Sequence, residues 1–284
     1  MTSEQQGADA ELPAPPKASR AGRDLPAAIA VGVGLVLLIA ASLALYKHAF
    51  VAVVVVTMAL GIDELRRALA TSGIAMPAVP VQVGSLATLL AAYILGSDGM
   101  VVAVALTVLM TAMWRLRIGS QGYVRDVTAG VFTTIYVPFL AGFVLLMLRS
   151  GDGQWQVATF ILVTIASDIG GYASGVLFGR HPMAPTISPK KSWEGFAGSA
   201  LACGVVGWLT VVYFLEGPWW AGVLLGAITV VTATLGDLTE SVIKRDLGIK
   251  DMSHMLPGHG GLMDRLDSLL ATVPFAWMVM HFIV

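Results

Sequence analysis

The residues best suited to chemistry lie in the last third of the chain, between positions 236 and 267. If a helix runs through the first part of this stretch, Asp237 and Lys244 share one face, because residues seven apart return to the same side of a helix. Asp264 and Asp267 are three residues apart and share a face of a second helix. The sequence therefore predicts two helices that present carboxylates to a common region.

Carboxylates from separate helices, without a nearby pair of Cys or His residues, favour a hard cation such as Mg²⁺, which prefers oxygen ligands. Basic side chains suited to phosphates accompany them; they are Lys244, Arg245, Lys250 and Arg265. Gly260 and Gly261 lie in a glycine-rich turn, which lets backbone N–H groups approach an anion. Together these features indicate a nucleotide site. For any single residue, the alternative is a solvated flank at a membrane edge.

A second polar block lies in and after the apolar run that ends at Phe178. Asp168 is an ionisable group inside that run, which is costly in a membrane and marks a functional candidate. The alternative is a carboxylate that a neighbouring helix satisfies. Lys190 and Lys191 lie in the loop that follows, and we expect them to contact substrate phosphates. Nonspecific binding of anionic lipid headgroups is the alternative for these two lysines.

Membrane helices must position these residues. The chain has 284 residues, of which 56% are hydrophobic and 12% charged, and its mean hydropathy is +0.79, far outside the range of soluble domains. We therefore expect an all-α polytopic membrane protein with about nine transmembrane helices. The nine apolar runs are 25–46, 49–62, 79–95, 100–114, 127–148, 155–178, 196–215, 219–235 and 266–284. The second and fourth are short, so eight spans with one re-entrant or tilted segment is the alternative.

Basic residues predict the orientation. With the N-terminus in the cytoplasm, 15 of the 17 Lys and Arg residues fall on the cytoplasmic side, and only Lys47 and Arg149 fall outside. We expect a disordered cytoplasmic tail at residues 1–24, because this segment is too polar to bury a core. We expect scaffold helices with oligomer contacts at 25–150, and catalytic helices with cytoplasmic motif loops at 151–284.

The later polar stretch resembles the signature of the phosphatidate cytidylyltransferase (CDP-diacylglycerol synthase) family. Its fixed positions are filled here by Ser241, Lys244, Arg245, Lys250, Asp251, His259, Gly260, Gly261, Asp264, Arg265 and Asp267. Ser253 stands where the family more often has Gly. The block from 167 to 195 is also similar to the family, with Ser192 where a Thr is common. The resemblance covers residues 155–284, whereas residues 25–150 match only as hydrophobic spans.

The resemblance implies transfer of the CMP moiety of CTP to phosphatidic acid, which gives CDP-diacylglycerol and pyrophosphate for phospholipid biosynthesis. It implies a magnesium-dependent nucleotidyltransferase in the inner (plasma) membrane of a bacterium, with its active site on the cytoplasmic side. The implied partners are CTP, phosphatidic acid and membrane lipids. We also expect a homodimer and no nucleic-acid partner.

Roles follow from the resemblance for individual residues. Asp237 and Asp264 are expected to bind Mg²⁺, with Asp267 or Asp168 as a further ligand, and a second cation is left open. The four basic residues of the signature stretch are expected to hold phosphates, while Ser241 and His259 hydrogen-bond substrate oxygens. The expected substrate-binding residues are Asp168, Ser188, Lys190, Lys191, Gly260 and Gly261.

Other functions remain open at this point. An ion-coupled transporter also carries acids inside spans and glycine-interrupted helices, but it predicts polar groups along a whole transmembrane route. A purely structural membrane protein predicts no dependence on a nucleotide. Another CTP-dependent membrane lipid transferase or kinase, such as a polyprenol kinase, would use a different acceptor, and a kinase would release CDP instead of pyrophosphate.

Overall fold

The computed structural model describes residues 25–253, 255 and 260–284. Within these residues the chain forms nine helices and one two-stranded hairpin. The helices are α1 (Leu25–Leu45), α2 (Lys47–Thr71), α3 (Ala78–Ile94), α4 (Ser97–Arg115), α5 (Tyr123–Arg149), α6 (Gly153–Phe178), α7 (Trp193–Phe214), α8 (Trp219–Asp246) and α9 (Met263–Phe282). The antiparallel hairpin joins β1 (Pro182–Ala184) to β2 (Ser188–Ser192) between α6 and α7. The predicted tail at 1–24 and the predicted site residue His259 lie outside the described residues.

Each of the nine apolar runs corresponds to one helix. Among the described residues, six helices are long and apolar enough to cross a membrane, and they are α2, α4, α5, α6, α7 and α8. The second and fourth runs belong to helices of full spanning length, because both helices continue past the apolar residues into polar ones. The protein is therefore an all-α multi-pass membrane protein, as predicted, with one small hairpin that was not predicted. The number of spans and the orientation stay predictions.

Small residues bring the last four helices into backbone contact. A Cβ atom added to Gly207 in α7 would lie 2.3 Å from the carbonyl oxygen of Gly222 in α8. A Cβ atom at Gly170 in α6 would lie 2.7 Å from the carbonyl oxygen of Gly198 in α7. Such close approach is typical of membrane helices, where packing replaces the hydrophobic effect as the source of association. A Cβ atom at Gly236 in α8 would likewise lie 2.5 Å from the carbonyl oxygen of Asp267 in α9, so the helices that carry the predicted site pack backbone to backbone.

Polar contacts identify which helix ends meet. At one end of the bundle, Glu64 near the end of α2 accepts a hydrogen bond from the backbone N–H of Leu262 at 2.8 Å. At the same end, Asp126 near the start of α5 accepts from the N–H of Ala75 at 3.0 Å. At the other end, Lys47 donates to the carbonyl of Ser150 at 3.1 Å. Both predicted polar blocks lie at the first of these ends, which we call the site end.

Candidate active site

A cavity of about 380 Å³ opens at the site end between α6, α7, α8, α9 and the hairpin. It brings together seven of the predicted site residues, which are Asp168, Lys190, Lys191, Asp237, Asp264, Arg265 and Asp267. Four are carboxylates and three are cations, so the cavity can hold both a positive ion and a phosphate. Gly171 and Gly175 also line the wall formed by α6. The two polar blocks, distant in sequence, therefore form one site.

Asp237 and Asp267 form the first carboxylate pair of the site. Their carboxyl groups, from α8 and α9, lie within hydrogen-bonding contact of each other. Asp267 is only 4% exposed and accepts a hydrogen bond from the N–H of Ser268 at 2.7 Å. Lys191 of the hairpin forms an ion pair with Asp237. Because two carboxylates in contact cannot both keep their charge without compensation, this pair requires a shared proton or a cation.

Glu240 and Asp264 form the second carboxylate pair, with Lys244 between them. The Nζ atom of Lys244 lies 2.6 Å from Glu240 Oε2 and 2.6 Å from Asp264 Oδ1. Glu240 is 2% exposed, and its Oε1 atom has no hydrogen-bond partner among the described residues. We predicted Lys244 as a phosphate ligand, but in this structure it neutralises two carboxylates beside the cavity. Glu240 was not predicted as a site residue, although its spacing of four from Lys244 favours an ion pair on one helix.

Asp264 also binds the backbone at Gly261 and Met252. Its Oδ2 atom accepts hydrogen bonds from the N–H groups of Gly261 at 2.8 Å and Met252 at 3.3 Å. Gly260 adopts a φ of +83°, a conformation that glycine reaches without steric cost. Neither Gly260 nor Gly261 lines the cavity, and their contact with substrate stays a prediction.

The hairpin carries the lysines to the cavity. Ser192 at its end caps α7, because its Oγ atom accepts a hydrogen bond from the N–H of Gly195 at 3.1 Å. Glu194 in the first turn of α7 accepts from the N–H of Arg180 at 3.1 Å and lies 2.6 Å from Nδ1 of His181. These contacts close the base of the hairpin on α7. Pairing in the hairpin then leaves Lys190 exposed and directs Lys191 towards Asp237.

Several predicted site residues lie outside the cavity wall. Ser188 is half-buried in β2, and Ser241 is half-buried in α8. Arg245 and Lys250 are exposed at the site end, beyond the cavity. The structure thus divides the predicted cations into Lys190, Lys191 and Arg265 at the cavity and the others around it.

The side chains of this site suit a magnesium ion, but they do not form a complete set of metal ligands by themselves. Across the described ranges, no three His, Cys, Asp or Glu side chains are arranged to hold a metal ion by themselves. The predicted ligands fall into separate pairs, because Asp264 contacts Glu240 whereas Asp237 contacts Asp267. Magnesium usually binds through one or two carboxylates, with water and substrate phosphates as the other ligands. The Asp237–Asp267 pair offers two carboxylates of this kind, and Lys191 already pairs with Asp237 in this structure.

Comparison with known proteins agrees with the geometry. A family model described as the cytidylyltransferase family matches residues 26–283. The match therefore includes the N-terminal half, which the sequence resemblance had treated only as hydrophobic spans.

Curated relatives named phosphatidate cytidylyltransferase include a protein of Mycobacterium bovis that is 43% identical over 276 residues, covering 92% of this chain and 90% of the relative. A protein of Mycobacterium leprae is 41% identical over 278 residues, covering 92% and 89%. One from Synechocystis is 32% identical over 270 residues, covering 83% and 88%. The chain belongs to the cytidylyltransferase family.

Proposed function

We propose that this protein is a phosphatidate cytidylyltransferase, which transfers the CMP moiety of CTP to phosphatidic acid. The observation that carries the proposal is the cavity itself, where carboxylates and cations of α6, α8, α9 and the hairpin converge at one end of a membrane bundle. Relatives with that name align with more than nine-tenths of the chain. Both substrates are anions at or near a membrane surface, which matches a mixed-charge cavity at the end of the helices.

The reaction joins a phosphate oxygen of phosphatidic acid to the α-phosphorus of CTP. The bond between that phosphorus and the oxygen leading to the β-phosphate breaks, and pyrophosphate leaves with the electron pair. The second pKa of a phosphate monoester is about 6, so the attacking oxygen is largely ionised at neutral pH. The site therefore needs no strong general base. Its task is to bring two anions together and to stabilise the leaving group.

Cations of the cavity suit that task. Lys190 is exposed at the cavity wall, and Arg265 reaches it from the first turn of α9. Lys191 is held by Asp237, so it is positioned before substrate arrives. We propose that these three side chains contact substrate phosphates, since Arg can bind two phosphate oxygens at once and Lys acts as a compact charge. Arg245 and Lys250, exposed nearby, are placed to attract CTP towards the site.

We propose that Asp237 and Asp267 hold Mg²⁺, with Asp168 on the opposite wall of the same cavity as a further ligand. Bound Mg²⁺ would stabilise negative charge on the transferring phosphates. Asp264 then serves the site by orienting Lys244 and the backbone at Gly261, and it does not bind the metal directly.

We propose that the site end faces the cytoplasm of a bacterial plasma membrane. CTP is a cytosolic nucleotide, and the described Lys and Arg residues other than Lys47 and Arg149 gather at this end, which agrees with the positive-inside rule. Tyr172 lines the cavity and is 76% exposed on the outer surface of α6. We propose that a lipid headgroup enters beside this residue while its acyl chains stay in the bilayer. The predicted homodimer stays a prediction.

The test is an assay of the purified protein in lipid nanodiscs with phosphatidic acid, Mg²⁺ and each nucleoside triphosphate in turn. We expect CDP-diacylglycerol and pyrophosphate with CTP only. The Asp267→Asn variant should lose turnover while its elution on gel filtration stays unchanged. Release of CDP would indicate a kinase instead, and folded protein that forms no CDP-diacylglycerol would refute the proposal.

A further inference from the structure

Glu64 is a buried carboxylate of α2 that reaches the catalytic half of the chain. It is 1% exposed, although it lies among the helices expected to be scaffold. Its Oε2 atom accepts hydrogen bonds from the N–H groups of Leu262 at 2.8 Å and Met263 at 3.2 Å. These are the first backbone donors of α9, almost 200 residues further along the chain.

The start of α9 depends on this contact. The first N–H groups of any helix have no partner within the helix, and a side-chain oxygen usually satisfies some of them. Leu262 occupies the N-cap position of α9 and provides no such side-chain hydrogen bond. Glu64 supplies the missing acceptor from another helix, and its negative charge also favours the N-terminal end of the α9 dipole.

Glu64 and Asp264 hold the same short segment. Asp264 accepts from the N–H of Gly261, and Glu64 accepts from the next two N–H groups. A Cβ atom at Gly261 would lie 1.8 Å from Glu64 Oε1 and 2.8 Å from Asp264 Oδ2. Both carboxylates therefore pack against Gly261, where a side chain would not fit, and the position of this segment determines where the first turn of α9 begins.

We propose that Glu64 is a positioning residue for the cytidylyl transfer. By fixing the first turn of α9, it places Asp264, Arg265 and Asp267 relative to the residues of α8 and the hairpin. It does not touch the cavity, so its effect on the reaction passes through the backbone of α9. The inference rests on the proposed function, but the backbone contact can be tested without any turnover.

The sharpest test compares Glu64→Asp with Glu64→Gln. Aspartate keeps the charge but is one methylene shorter, so it cannot reach both N–H groups. Glutamine loses the charge but keeps an acceptor oxygen at full length. A role in positioning predicts that Gln is better tolerated than Asp, whereas a purely electrostatic role predicts the reverse order.

For Glu64→Asp we expect kcat to fall by about 10- to 100-fold, which is the effect of a misplacement near 1 Å. The KM values for CTP and phosphatidic acid should change less than kcat, because Lys190 and Lys191 lie on the hairpin and keep their positions when α9 shifts. For Glu64→Gln we expect kcat within about fivefold of the wild-type value, because this variant loses only the interaction of one charge with the helix dipole. Asp63→Asn is the matched control, since Asp63 pairs with Arg66 and Arg67 on α2 and should be neutral.

Hydrogen–deuterium exchange of the full-length protein gives the second readout. Peptides that contain Leu262 and Met263 should exchange faster in Glu64→Asp than in the wild type. In Asp63→Asn their exchange rate should equal that of the wild type. Wild-type exchange and wild-type kcat in Glu64→Asp would overturn the inference, as would a larger loss in Gln than in Asp. If the exchange changes as expected but the wild-type protein makes no CDP-diacylglycerol, the proposed function fails and the backbone contact stands.

Discussion

Replacement of Asp264 by Asn tests how the second carboxylate pair supports the reaction. Both oxygens of Asp264 accept hydrogen bonds, Oδ1 from Lys244 and Oδ2 from the N–H groups of Gly261 and Met252. Asparagine has only one acceptor oxygen, and its NH₂ group must face donors on one side or the other. The substitution is therefore nearly isosteric, yet it cannot satisfy the site.

The asparagine side chain can take two orientations, and the one with its NH₂ group towards Lys244 costs less free energy. That orientation keeps the two backbone contacts and loses one charged hydrogen bond, worth about 1.5–3 kcal/mol. Lys244 keeps Glu240 at 2.6 Å, so its charge is not stranded. With a tenfold change per 1.36 kcal/mol, a loss of about 1.5–3 kcal/mol reduces the population of the active arrangement by about 10- to 150-fold.

The assay is the initial rate of CDP-diacylglycerol formation in nanodiscs, measured for wild-type protein, Asp264→Asn and Asp246→Asn. Asp246 is exposed at the end of α8 and serves as the matched control. We expect a loss of about 10-fold or more for Asp264→Asn, estimated from about 1.5 kcal/mol, and no loss for the control. A folded Asp264→Asn protein with turnover within threefold of the wild type would show that this double acceptor does not support the reaction.

Three further outcomes follow from the described contacts. Gly261→Ala should abolish activity or folding because its Cβ would lie 1.8 Å from Glu64, whereas Gly204→Ala, with open space around its Cβ, should be neutral; expression and turnover check both. Arg115→Ala should lower the free energy of unfolding by about 1.5–3 kcal/mol, because the buried carboxylate of Asp126 loses a charged hydrogen bond while it keeps Arg125 and the N–H of Ala75; thermal unfolding in detergent measures this. Removal of Mg²⁺ by a chelator should stop turnover, and added Mg²⁺ should restore it; activity that survives chelation would refute the metal assignment.

The helices were predictable because a membrane-spanning segment must satisfy its backbone internally, which leaves the helix as the natural form of each apolar run. Their ends were less predictable. The run at 49–62 is part of a helix that continues to Thr71, where Asp63 pairs with Arg66 and Arg67 outside the apolar region. The hairpin was missed because residues 182–192 show no alternation of apolar and polar side chains.

The site was predictable in composition but only partly in arrangement. Helical spacing placed Asp264 and Asp267 on one face, and both line the cavity. Spacing could not show that each would contact a different residue of α8, since that depends on how two helices cross. Glu64 gave no signal at all, because beside Asp63 it resembles the polar flank of a span and its partners are almost 200 residues away.

The most direct measurement of the central claim is the product formed from CTP and phosphatidic acid by the purified wild-type protein. We predict equal amounts of CDP-diacylglycerol and pyrophosphate, dependent on Mg²⁺, and loss of both products in Asp267→Asn. Folded wild-type protein that yields neither product, or that yields CDP and a phosphorylated lipid, would contradict the account.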